Sequence, residues 1–204
     1  MAEKNREFFY RRLHSLLGVI PVGIFLTQHL VVNSFATRGP EAYNSAASFM
    51  QKLPFVLFLE IFVIALPLFF HAVYGVYIAF TAKSNLKRFG TFRNWMFVLQ
   101  RLTGIFLIIF ISWHVWETRL AHQFYEVPVD FDMMANILSD PFMLGFYIAG
   151  VVSAVFHLSN GLWSFCISWG ITVTPKSQRI MTYITMGFFF LLSYVGVSAL
   201  FAFV

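Results

Sequence analysis

The sequence predicts an all-α integral membrane protein with five transmembrane helices, and three observations carry that prediction. The 204 residues are 59% apolar and only 11% charged, against about 25% charged for an ordinary soluble domain. Five stretches, 13–35, 55–81, 95–117, 141–169 and 181–203, reach the roughly 20 mainly apolar residues that a helix needs to cross the hydrocarbon core. The segments between them segregate charge. Lys4, Arg6, Arg11, Arg12, Lys83, Lys87, Arg88, Arg93, Lys176 and Arg179 fall on one side, and only Arg38, Lys52 and Arg119 on the other. Ten against three is a positive-inside bias that assigns the amino terminus to the cytoplasm and the carboxyl terminus to the outside.

The first span follows a charged start, MAEKNREFFYRR, with no small-residue cleavage pattern, so it is expected to be retained rather than removed as a signal peptide. It contains His14, Ser15, Pro21 and His29. The second contains Glu60, Pro67 and His71. Prolines inside a span are expected to kink it, and are tolerated where neighbours satisfy the freed carbonyls. The third runs through Arg101 and Gly104 to His114 and Glu117. After it comes the longest outer connector, 118–140, acidic and containing Pro128, which is expected to carry a short interfacial helix. The fourth holds His157 and Cys166. As the lone cysteine, Cys166 excludes an intrachain disulfide, a CxxCH haem attachment and a cysteine-ligated iron–sulfur cluster within the chain. The fifth span completes a single transmembrane domain over 1–204, with no linker or second domain. Phe accounts for 27 residues, bulk that serves mainly to face lipid.

Four histidines, His29, His71, His114 and His157, sit in four separate spans, and the first pair recurs as the second after 85 and 86 residues. An ionisable side chain inside a membrane span is costly and marks a functional site. His71 and Gly75 recur as His157 and Gly161, each glycine four residues on and so on the histidine's own helix face. The first and third spans echo each other more loosely, through Gly18 and Gly104 and through Arg12 and Arg101. Depth then pairs the histidines. His71 is 19 residues from Lys52 and His157 is 17 from Asp140, so at about 1.5 Å per residue they lie within roughly 3 Å of one level. His29, 9 residues from Arg38, and His114, 5 from Arg119, lie nearer the outer surface. The two levels are roughly 15 Å apart.

That separation leaves room for two macrocycles stacked through the bilayer. Bis-imidazole ligation of low-spin b haems fits it, because both axial sites are filled and the iron transfers electrons without binding oxygen. The first four spans are therefore expected to form a bundle around two haems. A zinc or iron transport site is the rival reading, since imidazole also suits those metals; Glu60 and Glu117 are the only carboxylates near enough to join it. A third possibility is a haem-free structural anchor for a peripheral enzyme. His14 and His122 lie at the boundary and in the outer loop, where a solvated histidine is the simpler reading. His14 and Ser15 could instead contact a haem propionate.

The stretches FFYRRLHSLLGVIPVGIFLTQHLVVN, FHAVYGVYIAFTAK, RNWMFVLQRLTGI, SWHVWETR, NGLWSFCISWGITVTPKSQR and LSYVGVSALFAFV resemble the dihaem cytochrome b membrane anchors of Gram-positive succinate:menaquinone oxidoreductase, respiratory complex II. The resemblance implies that His71 and His157 bind a proximal, higher-potential haem and His29 and His114 a distal, lower-potential one. It implies two partners on the cytoplasmic face, a flavoprotein that oxidises succinate with FAD and an iron–sulfur subunit. It further implies that electrons pass from them through both haems to menaquinone, linking the tricarboxylic acid cycle to the respiratory chain of a bacterial cytoplasmic membrane. An anchor of a quinol:fumarate reductase is the near alternative. Related dihaem fumarate reductases carry a glutamate two residues before the ligand matching His157, proposed as part of a transmembrane proton path. Here that position is Val155.

Quinone reduction needs a proton donor near the outer haem. Glu60 precedes His71 by 11 residues, about three turns, so it shares that face and lies roughly 16 Å further out. It is the expected proton relay to menaquinone; an interfacial carboxylate in contact with water is the alternative. Glu117, three residues after His114, shares the ligand face. On the inner side, Arg11, Arg12, Lys87, Arg88 and Arg93 are candidates for haem propionates or for docking the iron–sulfur subunit, although topology alone accounts for them.

Overall fold

The computed structural model describes residues 2–204, with side chains from Asn5 onward. Five helical runs are long and apolar enough to cross a membrane: Asn5–Arg38, Val56–Thr81, Phe92–Tyr125, Pro141–Ser168 and Pro175–Phe201. Span 1 comprises α1 (Ala2–Val19), α2 (Pro21–Asn33) and a 3-10 turn, Ser34–Arg38. Pro21 separates the first two, since it cannot donate to the preceding turn. Gly39, at φ 95°, ends the run, and α3 (Pro40–Gln51) folds back against it.

Span 2 begins with α4 (Val56–Phe58), widens into a π-helical segment over Leu59–Ala65 and continues as α5 (Leu66–Thr81). The widening ends two residues before Pro67, whose missing N–H and bulky ring disturb the turn before it. Span 3 is α6 (Phe92–Val115), then a second π-helical segment, Trp116–Leu120, and α7 (Ala121–Tyr125). Thr91 caps α6 through its hydroxyl. The connector between spans 3 and 4 carries α8 (Phe131–Leu138), capped by Asp130. Span 4 is α9 (Pro141–Ser168), with Asp140 as its cap and Pro141 in the first turn, both favourable at a helix start. Gly170, at φ 73°, closes it by letting Ile171 N–H reach back to the Cys166 carbonyl at 2.8 Å. Span 5 is α10 (Pro175–Phe201), opened by a capping box between Thr174 and Ser177.

Spans 1 to 4 form a ring in which each touches the next and span 4 returns to span 1; span 5 packs outside it against spans 4 and 1. Spans 1 and 3 are therefore diagonal, as are spans 2 and 4. Small residues set the close approaches: Gly150 lies under the Phe110 ring, and Gly196 meets Val151 and Leu30. The core runs from Leu30 and Leu107 through Val151 and Val155 to Leu192 and Leu200. Outside it, Phe80 (81% exposed), Phe142 (76%) and Phe69 (68%) stand free, as side chains do that face hydrocarbon rather than water. The carboxyl-terminal end of the bundle is closed by α3, α8 and the end of α10, where Tyr43, Phe131 and Phe203 pack edge to face or tilted at 4.8–6.1 Å. Burial first, then the Asp130 carboxylate, push the Tyr43 hydroxyl up to about 12.

Candidate haem site

The diagonal placement brings the four histidines together as two pairs. The rings of His71 and His157 have centroids 6.1 Å apart at 85°, and those of His29 and His114 are 5.9 Å apart at 75°. With metal–imidazole bonds of about 2.0 Å and ring nitrogens about 1.1 Å from the ring centre, two imidazoles on opposite sides of one metal have centroids about 6 Å apart. Both pairs meet that spacing. Each ring is only partly covered by protein, although all four lie within spans.

Hydrogen bonds fix which nitrogen is free. His71 donates its Nδ1–H to the His14 carbonyl at 2.9 Å, since a carbonyl can only accept. The Thr103 hydroxyl gives its proton to the Leu99 carbonyl at 2.8 Å and so accepts from His157 Nδ1 at 3.2 Å. Tyr147 donates to Glu117 at 3.2 Å and accepts from His114 Nδ1 at 3.4 Å. In all three, Nε2 is left free to ligate a metal, and the partner behind the ring orients it. From span 3, Gln100 donates to the His157 carbonyl at 3.0 Å and accepts from Asn160, one turn on from His157, at 2.8 Å, tying spans 3 and 4.

Glycines make room for the inner pair. A Cβ at Gly18 would overlap the His71 ring, and one at Gly104 would stand 3.0 Å from His157 Cε1. The notch beside each inner imidazole thus comes from the neighbouring odd-numbered span. Gly75 and Gly161, which share their histidines' faces in the sequence, lie instead beside His14 and Gln100.

His14 is not the solvated boundary residue that its position suggests. Its ring stacks on His71 at 4.0 Å and 7°, with Tyr74 against it at 5.9 Å. Ser15 is half-buried beside it and makes no side-chain hydrogen bond among the described residues. Val155 is fully buried in apolar contacts. Glu60 is engaged by Arg119, whose Nη2 and Nε donate to one carboxylate oxygen at 2.8 and 3.1 Å. The two arms of this ion pair come from the two π-helical segments, so it joins the start of span 2 to the end of span 3. Arg11 pairs with Glu7 at 2.8 Å. Arg12 lies over Phe8 and Trp169, and Arg93 stacks on Trp163 at 3.4 Å and donates to Thr182.

Arg101 is a candidate that charge counting overlooks, because it lies inside a span rather than in a connector. Its guanidinium lies 3.3 Å over the Phe97 ring and donates to the Phe97 carbonyl at 2.7 Å, yet its buried Nε has no partner among the described residues. An unpaired guanidinium N–H at that depth is costly, and a propionate carboxylate has the chemistry to satisfy it. Its signal in the sequence was an arginine within an apolar run. No group of three or more His, Cys, Asp or Glu side chains converges as a metal site among the described residues. The donors come as two pairs, which suits a macrocycle that brings its own four nitrogens.

Residues 81–196 match the family described as succinate dehydrogenase/fumarate reductase transmembrane subunit. Over 200 residues, 98% of each chain, the sequence is 70% identical to the succinate dehydrogenase cytochrome b558 subunit of Bacillus subtilis (strain 168).

Proposed function

The chain belongs to the succinate dehydrogenase/fumarate reductase transmembrane subunit family, and from that premise we propose that it is a dihaem anchor delivering electrons from succinate to menaquinone. It is a multi-pass membrane subunit of succinate dehydrogenase, a cytochrome b that holds haem. The finer reading assigns one b haem to His71 and His157 and a second to His29 and His114. The observation that carries it is the pair of ring spacings, 6.1 and 5.9 Å, across both diagonals of one bundle.

When bound, each haem would be held by the imidazoles of its histidine pair and would supply reversible one-electron transfer. The protein's part is to hold and insulate. The His14 carbonyl, Thr103 and Tyr147 keep three of the imidazoles in the ligating tautomer. Arg101 is assigned to a propionate, and His14, stacked on His71, to positioning that ligand. The apolar spans keep bulk water away from the bundle. At the outer end Glu60, held by Arg119, is assigned to proton delivery to the quinone. The cytoplasmic face bears Lys83, Lys87, Arg88 and Lys176 in its connectors and about its helix starts, and supports docking of a flavoprotein and an iron–sulfur subunit. The amino terminus is cytoplasmic and the carboxyl terminus external, in the cytoplasmic membrane of a bacterium.

Membranes carrying the assembled complex test the reading. Succinate should reduce a menaquinone analogue only when this chain is present, and deleting the chain should release succinate-to-dye activity into the soluble fraction. Quinone reduction that survives deletion of the chain contradicts it.

A further inference from the structure

What stands behind the imidazoles differs between the two levels. His71 Nδ1 ends on a main-chain carbonyl, and His157 Nδ1 on a threonine hydroxyl whose proton goes to another main-chain carbonyl. Both arrangements are neutral throughout. Behind His114 the chain of hydrogen bonds runs through the Tyr147 hydroxyl to Oε2 of Glu117 and ends on a carboxylate. A carboxylate only accepts, so the phenolic proton points at Glu117 and the oxygen lone pair at His114.

The arrangement spans two helices. His114 and Glu117 lie one turn apart on span 3, at the junction where it widens into the π-helical segment, and Tyr147 reaches them from span 4. Tyr147 is 2% exposed, so bulk water does not replace it. Its ring packs edge-on against both Phe110 and His114 at 5.4 and 5.7 Å, which holds the hydroxyl in place. Arg119, the cation nearest to Glu117 in the sequence, is engaged by Glu60. The charge of Glu117 is therefore free to act through Tyr147.

We infer that Tyr147 and Glu117 form a relay that lowers the reduction potential of the outer haem relative to the inner one. The inference rests on the assignment of His114 as a haem ligand. Glu117 polarises the tyrosine hydroxyl, and the hydroxyl draws the Nδ1 proton of His114. The ring becomes a stronger donor at Nε2 and stabilises the ferric state. Tyr147 and Glu117 are positioning residues: they act on the iron through His114. The neutral supports of the inner pair lack this push.

The test is an optical redox titration of the purified complex, with haem counted per chain. Tyr147→Phe should shift the outer haem's reduction equilibrium at least threefold toward the ferrous form and leave the inner haem unmoved. Glu117→Gln, which leaves the buried tyrosine in place, should shift it in the same direction and carries the test if Tyr147→Phe does not assemble. The double variant should move no further than Tyr147→Phe alone, because the two residues act in series. Two haems retained with an unmoved outer potential overturn the relay, and so does an additive double variant, which means that Glu117 acts by direct charge. Fewer than two haems in the unmodified complex overturns the ligand assignment itself, a result distinct from either of these.

Discussion

The imidazole of His157 lies against Gly104 so closely that a Cβ there would stand 3.0 Å from Cε1, and His71 lies against Gly18 more tightly still. Spans 1 and 3 thus each supply a notch for the histidine of the even-numbered span beside it. The repeat visible as four histidines is also a repeat of glycine against imidazole.

Filling these notches should displace the inner ligands unequally. Gly18→Ala forces backbone or ring to move and is expected to cost about 1–3 kcal/mol, as overpacking generally does. Gly104→Ala needs a shift of only a few tenths of an ångström and should cost less. Thermal unfolding of the purified complex measures the order. The absorbance of the inner haem should change in both variants and that of the outer haem in neither.

Single histidine replacements should remove haems by pairs. His71→Ala or His157→Ala should leave one haem per chain, the outer one. His29→Ala or His114→Ala should leave the inner one. Haem quantification after extraction counts them, and the potential of the survivor identifies which remains.

Glu60 and Arg119 side chains are 35% and 37% exposed, so their ion pair contributes at most about 1 kcal/mol to stability. A functional role should therefore separate from a structural one. Glu60→Gln is expected to lower quinone reductase activity at least about tenfold and to change its pH dependence. Succinate-to-dye activity and melting temperature should stay near their original values.

Gln100 holds the His157 carbonyl and Asn160 in one network between spans 3 and 4. Gln100→Leu strips both bonds and strands polar groups within the bundle, at a cost of about 1–3 kcal/mol. A lowered melting temperature with faster loss of the inner haem on heating is the expected outcome.

The grouping of His71 with His157 and of His29 with His114 could be counted from the charged ends of the spans because the helix rise is constant. The spans themselves follow from hydropathy. Contacts that depend on helix rotation and crossing were not legible in this way. Nothing in the apolar pattern announces that His14 stacks on His71, or that Tyr147 reaches His114 across the bundle. The helix α3 is hidden in the connector between spans 1 and 2 because its residues are mostly small or polar, and it is placed by packing of Tyr43 against Phe203. The π-helical segments that bring Glu60 to Arg119 add a residue to the turn locally, which a count at 3.6 residues per turn does not register. Arg101 stood in plain view in the sequence, but its unpaired Nε depends on three-dimensional surroundings.

The most direct test of two imidazole-ligated haems on the diagonals of one bundle is the low-temperature electron paramagnetic resonance of the oxidised complex, read with haem content. The expected result is two low-spin ferric signals of bis-histidine type at two haems per chain, with one signal lost in His157→Ala and the other in His114→Ala. A single signal, a high-spin ferric centre, or loss of the same signal in both variants would contradict the account.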